Sequence, residues 1–193
     1  MNSLNLTQFE QTLQKIDKFC YQNHRSYIVI GGVAIMYHLE YRTTKDIDIS
    51  LYLDFHDIRL VGEMLLRHFE SVYDNPLEFF ERYFVLPVRD PETGIRIDIS
   101  AGLGGFERTA VERGKRVQFA GVEIQICTVE DLIIFKLVAA RPIDYADVEM
   151  LVQKYGGELD RDYLQNTARE FAQLERTDVI ERLKKYLSKY PTQ

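Results

Sequence analysis

The period of apolar and polar positions changes repeatedly along the chain, and each change predicts an element. Over residues 7–23, Phe9, Leu13, Ile16, Phe19 and Cys20 recur at helical spacing, which predicts an amphipathic helix. Residues 27–30 read as a short buried strand. Gly31 and Gly32 follow it, and Val33, Ile35, Met36 and Leu39 resume a helical pattern, so a strand, a glycine turn and a helix start are expected in succession. Over residues 46–53, Ile47, Ile49 and Leu51 alternate with Asp46, Asp48 and Ser50, the period of a strand with one apolar and one polar face. Ile58, Val61, Leu65 and Phe69 predict a helix over about 56–69.

Residues 83–88 and 95–100 flank Asp90, Pro91, Glu92, Thr93 and Gly94, and this predicts a hairpin closed by a turn with a bulge. A second hairpin is expected from residues 116–119 and 122–126 across Ala120 and Gly121. From Thr128, with Asp131 as its helix-start partner, the pattern turns helical. Pro142 interrupts it, and amphipathic segments recur near 164–174 and 179–190. The fold class expected is therefore α+β. Residues 1–127 form a core with a mixed β-sheet flanked by helices, and residues 128–193 form a C-terminal helical part packed on it, with no Gly-, Ser- or Pro-rich linker between. The tetrapeptide Ile-Asp-Ile-Ser occurs at 47–50 and again at 97–100, in different upstream contexts, and reads as two strands under one local demand.

Composition narrows the class. The 193 residues are 46% hydrophobic and 28% charged, which is globular rather than disordered. The net charge of -6 excludes non-specific attraction to phosphate backbones, so any nucleic-acid contact has to be local. Cys20 and Cys127 are the only cysteines, which rules out a zinc ribbon and a disulfide scaffold. The first seven residues lack a basic segment and an apolar run, and no apolar stretch approaches a membrane span, so a soluble cytoplasmic protein with no membrane partner is expected.

Two carboxylates at i and i+2 in a strand need a reason, because Asp disfavours strands. Asp46 and Asp48 project from one face about 7 Å apart, and Mg²⁺ takes one or two carboxylates together with substrate phosphate oxygens. Asp98 repeats the pattern on another strand, and three convergent carboxylates suffice for two metals in phosphoryl transfer. A solvated strand face would explain each Asp singly. Gly31 and Gly32 tip the balance, since a glycine turn ahead of a helix offers backbone N–H groups and a helix dipole to phosphate. Arg42 and Thr44 extend the face of Asp46 and Asp48 towards an anionic ligand. Gly102, Leu103, Gly104 and Gly105 lack the ending of a phosphate loop and read as a loop beside Asp98. The four histidines have no metal-ligand spacing. Arg113, Lys115 and Arg116, like Lys184 and Lys185, read as solvated faces, and as RNA contacts only if they line the cleft.

These residues resemble the signature of the nucleotidyltransferase superfamily that includes DNA polymerase β: Gly-Gly or Gly-Ser, a spacer, Asp-h-Asp, and a later Asp. Gly31, Gly32, Asp46, Asp48 and Asp98 match it in order and strand context. A closer resemblance, to the nucleotidyltransferase-type toxins of bacterial abortive-infection systems, runs through Lys136, Leu137, Asp144 and Asp147, and covers about residues 25–155. Those toxins often carry Ser where this chain has Gly32. The resemblance implies that NMP passes from an NTP such as ATP to an acceptor hydroxyl, with tRNA or another RNA as acceptor and an antitoxin as partner. Asp46, Asp48 and Asp98 would hold two Mg²⁺ ions, and Asp98 would help deprotonate the acceptor. Gly31, Gly32, Arg42, Thr44, Lys136 and Asp147 would bind the nucleotide, Lys136 neutralising phosphate. The residues alone leave Lys136 open between phosphate contact and a packed helix Lys, and Asp144 and Asp147 open between function and a helix first turn. A catalytically silent nucleotide- or partner-binding member and an antibiotic-modifying enzyme share these motifs.

Overall fold

The structure is a computed structural model that describes residues 7–40 and 43–190; Arg42 lies outside the described residues. Two compact units are formed, one by the described parts of Met1–Val33 and Thr43–Cys127, the other by those of Ala34–Arg42 and Thr128–Gln193.

Helix α1 (Gln8–Gln22) opens the first unit. Thr7 caps it reciprocally with Glu10: the Thr7 amide donates to Glu10 Oε2 at 2.6 Å, and the Glu10 amide to Thr7 Oγ1 at 3.5 Å. Then come β1 (Tyr27–Val29), α2 (Gly31–Leu39), β2 (Asp46–Tyr52), α3 (Ile58–Leu65), β3 (Glu70–Ser71), α4 (Pro76–Tyr83), β4 (Val85–Arg89), β5 (Arg96–Gly102), α5 (Gly105–Arg113), β6 (Lys115–Phe119) and β7 (Val122–Ile126). The seven described strands form one mixed sheet in the order β3-β4-β5-β2-β1-β7-β6. β2 and β5 run parallel, as do β1 and β7, and the other neighbours are antiparallel. This is the α+β class with helices about a mixed sheet that the patterning predicts.

Parallel pairing of β2 with β5 explains the repeated tetrapeptide. Ile47 to Ser50 are the register partners of Ile97 to Ser100, residue for residue. Ile47, Ile49, Ile97 and Ile99 are buried with Leu86 and Val88 of β4, and by strand alternation Asp46, Asp48, Arg96 and Asp98 share the opposite face. Helix α1 is tied to the sheet by its Asp17, which accepts from the Tyr27 hydroxyl at 2.7 Å. Its Thr12 and Lys15 donate to the two oxygens of buried Asp90, at 3.1 and 2.8 Å, and so pin the β4–β5 turn. Both predicted hairpins form. The helix expected over 56–69 runs over Ile58–Leu65, and Phe69, beyond its end, is buried and meets Phe19 edge-on.

The second unit contains the Ala34–Leu39 part of α2 together with α6 (Val129–Ala139), α7 (Pro142–Tyr155), α8 (Arg161–Gln173) and α9 (Thr177–Lys189). Thr128 caps α6 through the Asp131 amide, as the sequence predicts. Arg161 gathers the end of α9 and the end of α7, donating to the carbonyls of Leu187, Gly156 and Tyr190 at 3.3, 3.3 and 2.6 Å. No helix among the described residues is long and apolar enough to cross a membrane.

Candidate active site

The site is built where β1 ends, α2 begins and β2 runs alongside. Gly31 has φ +59°, and a Cβ placed on it would lie 2.0 Å from Asp48 Oδ2. Only glycine leaves room for that carboxylate in that backbone conformation. The Gly32 amide donates to the same Asp48 oxygen at 3.4 Å, so Asp48 lies at the positive end of the α2 dipole. A Cβ on Gly32 would instead stand 2.6 Å from the Cβ and Oγ1 of Thr44. Each glycine therefore has its own reason. Thr44 also explains why a serine does not occupy position 32 here: the space is taken. Its hydroxyl donates to the Asp46 carbonyl at 3.1 Å, which sets the entry into β2.

Asp98 is the register partner of Asp48 on the parallel neighbour β5, and adjacent strands lie about 4.8 Å apart. Asp46 follows two residues back along the same face. Asp46 is exposed and Asp48 and Asp98 are half-buried, so this end of the polar face is open. Further along the face, Ser50 is buried and its hydroxyl has no hydrogen-bond partner. Helix α5 folds over that region: a Cβ on Gly102 would meet Ser50 Oγ at 2.9 Å and Glu107 Cβ at 2.8 Å.

Arg96 is a member of the site that motif reading does not supply. Its Nε donates to Asp98 Oδ1 at 3.2 Å, and it is the register partner of Asp46. The signal was present, since Arg96 stands two residues before Asp98 as Asp46 stands before Asp48.

The donor set suits a hard divalent cation. Among the described residues no three His, Cys, Asp or Glu side chains are drawn together closely enough to hold a metal unaided. The pair Asp48 and Asp98, with Asp46 beside them, nevertheless offers carboxylate oxygens of the kind Mg²⁺ takes when substrate phosphates complete its shell. The cradle that Gly31 leaves for Asp48 fits that use.

Lys136 and Asp147, which the sequence reading places at the nucleotide, lie in the second unit. Both are buried, at 3% and 0% exposure. Lys136 Nζ donates to Asp144 Oδ1 at 2.8 Å and sits 2.9 Å from Asp147 Oδ2. Neither charge faces solvent. Arg141 Nε donates to the other Asp144 oxygen at 2.7 Å. Burial pushes the Asp144 carboxyl up, but the hydrogen bonds from Arg141 and Lys136 outweigh it and hold the group below the usual carboxylate range.

Gly31, Gly32, Asp46, Asp48 and Asp98 keep the order of the nucleotidyltransferase signature that they resemble in sequence. The chain belongs to a nucleotidyltransferase family: residues 5–190 match the model described as "Nucleotidyltransferase of unknown function (DUF6036)". No curated protein matches in sequence. Among solved structures, the chain is similar to an antigenic nucleotidyltransferase-like protein from Paracoccidioides brasiliensis, with TM-score 0.52, 15% identity, and coverage of 93% of this chain and 94% of that one. It is also similar to the antibiotic-resistance factor ANT(2'')-Ia, with TM-score 0.58, 15% identity, and coverage of 88% and 96%. A second structure of that factor, in complex with adenylyl-2''-tobramycin, gives TM-score 0.55 at 13% identity over 86% and 99%. At these identities the likeness is one of fold.

Gly31→Ala is expected to cost about 1–2 kcal/mol from the left-handed backbone alone and to push the Asp48 carboxylate out of its cradle. Thermal unfolding together with Mn²⁺ binding, followed by paramagnetic broadening, reads both effects. Wild-type metal affinity in this variant would contradict the cradle.

Proposed function

We propose that the chain transfers a nucleoside monophosphate from an NTP to an acceptor hydroxyl and releases pyrophosphate. The observation that carries this reading is the register of Asp48 with Asp98 over the glycine pair. Asp46, Asp48 and Asp98 would hold Mg²⁺. When bound, the metal supplies charge neutralisation to the triphosphate and the leaving pyrophosphate. The Gly31–Gly32 turn and the start of α2 accept the triphosphate on the β1 side of β2. On the β5 side, Asp98 orients the acceptor hydroxyl and takes its proton as the oxygen bonds to the α-phosphorus. The bond between the α-phosphorus and the bridging oxygen breaks, and pyrophosphate leaves with that electron pair. Positioning and electrostatics dominate such transfers, which suits a site of carboxylates on a rigid sheet.

Family membership supports transfer, and the adenylyl-2''-tobramycin bound to a protein of similar fold supports NMP as the group moved. We assign Lys136, Asp144 and Asp147 to the joining of α6 and α7, because Lys136 is spent on the two carboxylates and Arg141 adds a second cation to Asp144.

Incubation with Mg²⁺ and each α-labelled NTP, in the presence of RNA, of a mononucleotide and of an aminoglycoside, tests the reading. Label should enter one acceptor class with wild-type protein and none with Asp46→Ala/Asp48→Ala. Equal labelling by that variant would overturn the carboxylate assignment. Growth arrest on expression, lost with the same variant, would add the toxin role.

A further inference from the structure

A cavity of about 490 Å³ opens at the Asp46 end of the sheet. Lys45, Arg89 and Arg96 line it with Asp46, and Phe9 of α1 gives it an apolar wall. Arg96 is paired with Asp98, so the local excess of positive charge, on a chain of net charge -6, rests with Lys45 and Arg89 against Asp46. The sheet brings them together: Arg89 on β4 is the register partner of Arg96 on β5, and Arg96 is that of Asp46 on β2. This basic row lies one step of two residues, about 7 Å, from the row of Asp48 and Asp98. Lys45 and Arg89 are exposed, and neither has an ion-pair partner among the described residues.

The position on the sheet decides what the cavity serves. Gly31 and Gly32 occupy the β1 flank of β2, where the triphosphate is placed under the proposed function. The cavity lies at the end of β2, β5 and β4, and its Arg96 reaches Asp98, on whose side the acceptor hydroxyl must arrive. We propose that it selects an acceptor carrying a phosphate next to its reactive hydroxyl, gripped by Lys45 and Arg89. The inference rests on the nucleotidyl-transfer reading and deepens it by naming the acceptor class. Arginine forks and lysine point charges both bind phosphate oxygens, whereas the same cations repel a polyamine antibiotic. A phosphate of this kind comes from an RNA end or from a free mononucleotide, and the two are separated by experiment.

The full-length protein is titrated without NTP with a fluorescent 12-residue RNA, with a ribonucleoside monophosphate as competitor and with tobramycin as a cationic comparator. The Lys45→Glu/Arg89→Glu variant, which changes only exposed side chains, is treated alike. The expected result is at least a tenfold loss of affinity in the variant, with a shallower salt dependence, and no competition by tobramycin. Competition by the mononucleotide at comparable concentration identifies the small phosphate as sufficient; its failure identifies the strand. Unchanged RNA affinity in the variant, or tobramycin binding that exceeds RNA binding, overturns the proposal. In the labelled-NTP assay, an effect confined to the NTP KM, with the acceptor KM unmoved, also overturns it, because the cations then serve the triphosphate. Anion binding that follows Lys45 and Arg89 without transfer to any acceptor would sink the transfer reading and leave the anion site standing.

Discussion

Asp48→Asn is expected to lower kcat/KM for nucleotidyl transfer by about 10³-fold, ~4 kcal/mol of lost transition-state stabilisation. The substitution keeps the volume of the side chain and an oxygen for the Gly32 amide, so the cradle beside Gly31 stays filled. What it removes is the negative charge on the face shared with Asp98. Circular dichroism should therefore give an unfolding midpoint within a few degrees of wild type, while Mn²⁺-induced broadening of bound nucleotide is lost. A large drop in stability would mean that Asp48 serves mainly to cap α2.

Lys136→Met is expected to destabilise the protein by about 3–5 kcal/mol, because it removes the buried cation that Asp144 and Asp147 share and leaves Asp144 to Arg141. That is a large share of the ~5–15 kcal/mol by which domains are stable, and urea unfolding at neutral pH reads it directly. Neutralising the partners as well, with Asp144→Asn and Asp147→Asn, should recover most of the loss, since a cluster removed whole leaves no orphaned charge. The pH dependence follows from Asp144. Its folded-state carboxyl is held low, so its contribution is full above about pH 4 and falls away as acid carries the pH down through the depressed value. An unaltered unfolding curve with weakened NTP binding would instead restore Lys136 to the nucleotide.

How far these features were legible depended on how local their causes are. The strand Asp46–Tyr52 announced itself because one face meets the core and the other does not, and the glycine pair because the carboxylate opposite leaves no room for a side chain. Helix α7 was not legible beyond its start at Pro142: Asp144 and Asp147 face inward onto Lys136, so charges occupy the positions where a helical apolar stripe would appear. Helix α4 is eight residues long and buries only Phe80, and its last residue, Tyr83, passed for the start of the following strand. Helix α5 follows a glycine-rich stretch that reads as a loop, and its own apolar positions Phe106, Ala110 and Val111 are too few to override that. The site divides the same way. Asp46, Asp48 and Asp98 were visible as motifs, but their convergence depends on a parallel register between strands fifty residues apart. Arg89 and Arg96 come from the ends of two strands and Lys45 from the residue before a third, and no spacing along the chain joins them.

The fate of the phosphates tests the central claim most directly. With Mg²⁺ and a responsive acceptor, parallel reactions with α-labelled and γ-labelled NTP should put label on the acceptor only from the α-position, with the γ-label recovered in pyrophosphate, and Asp48→Asn should abolish both. Transfer of the γ-label to the acceptor, or α-transfer that persists in Asp48→Asn, would contradict nucleotidyl transfer by this carboxylate face.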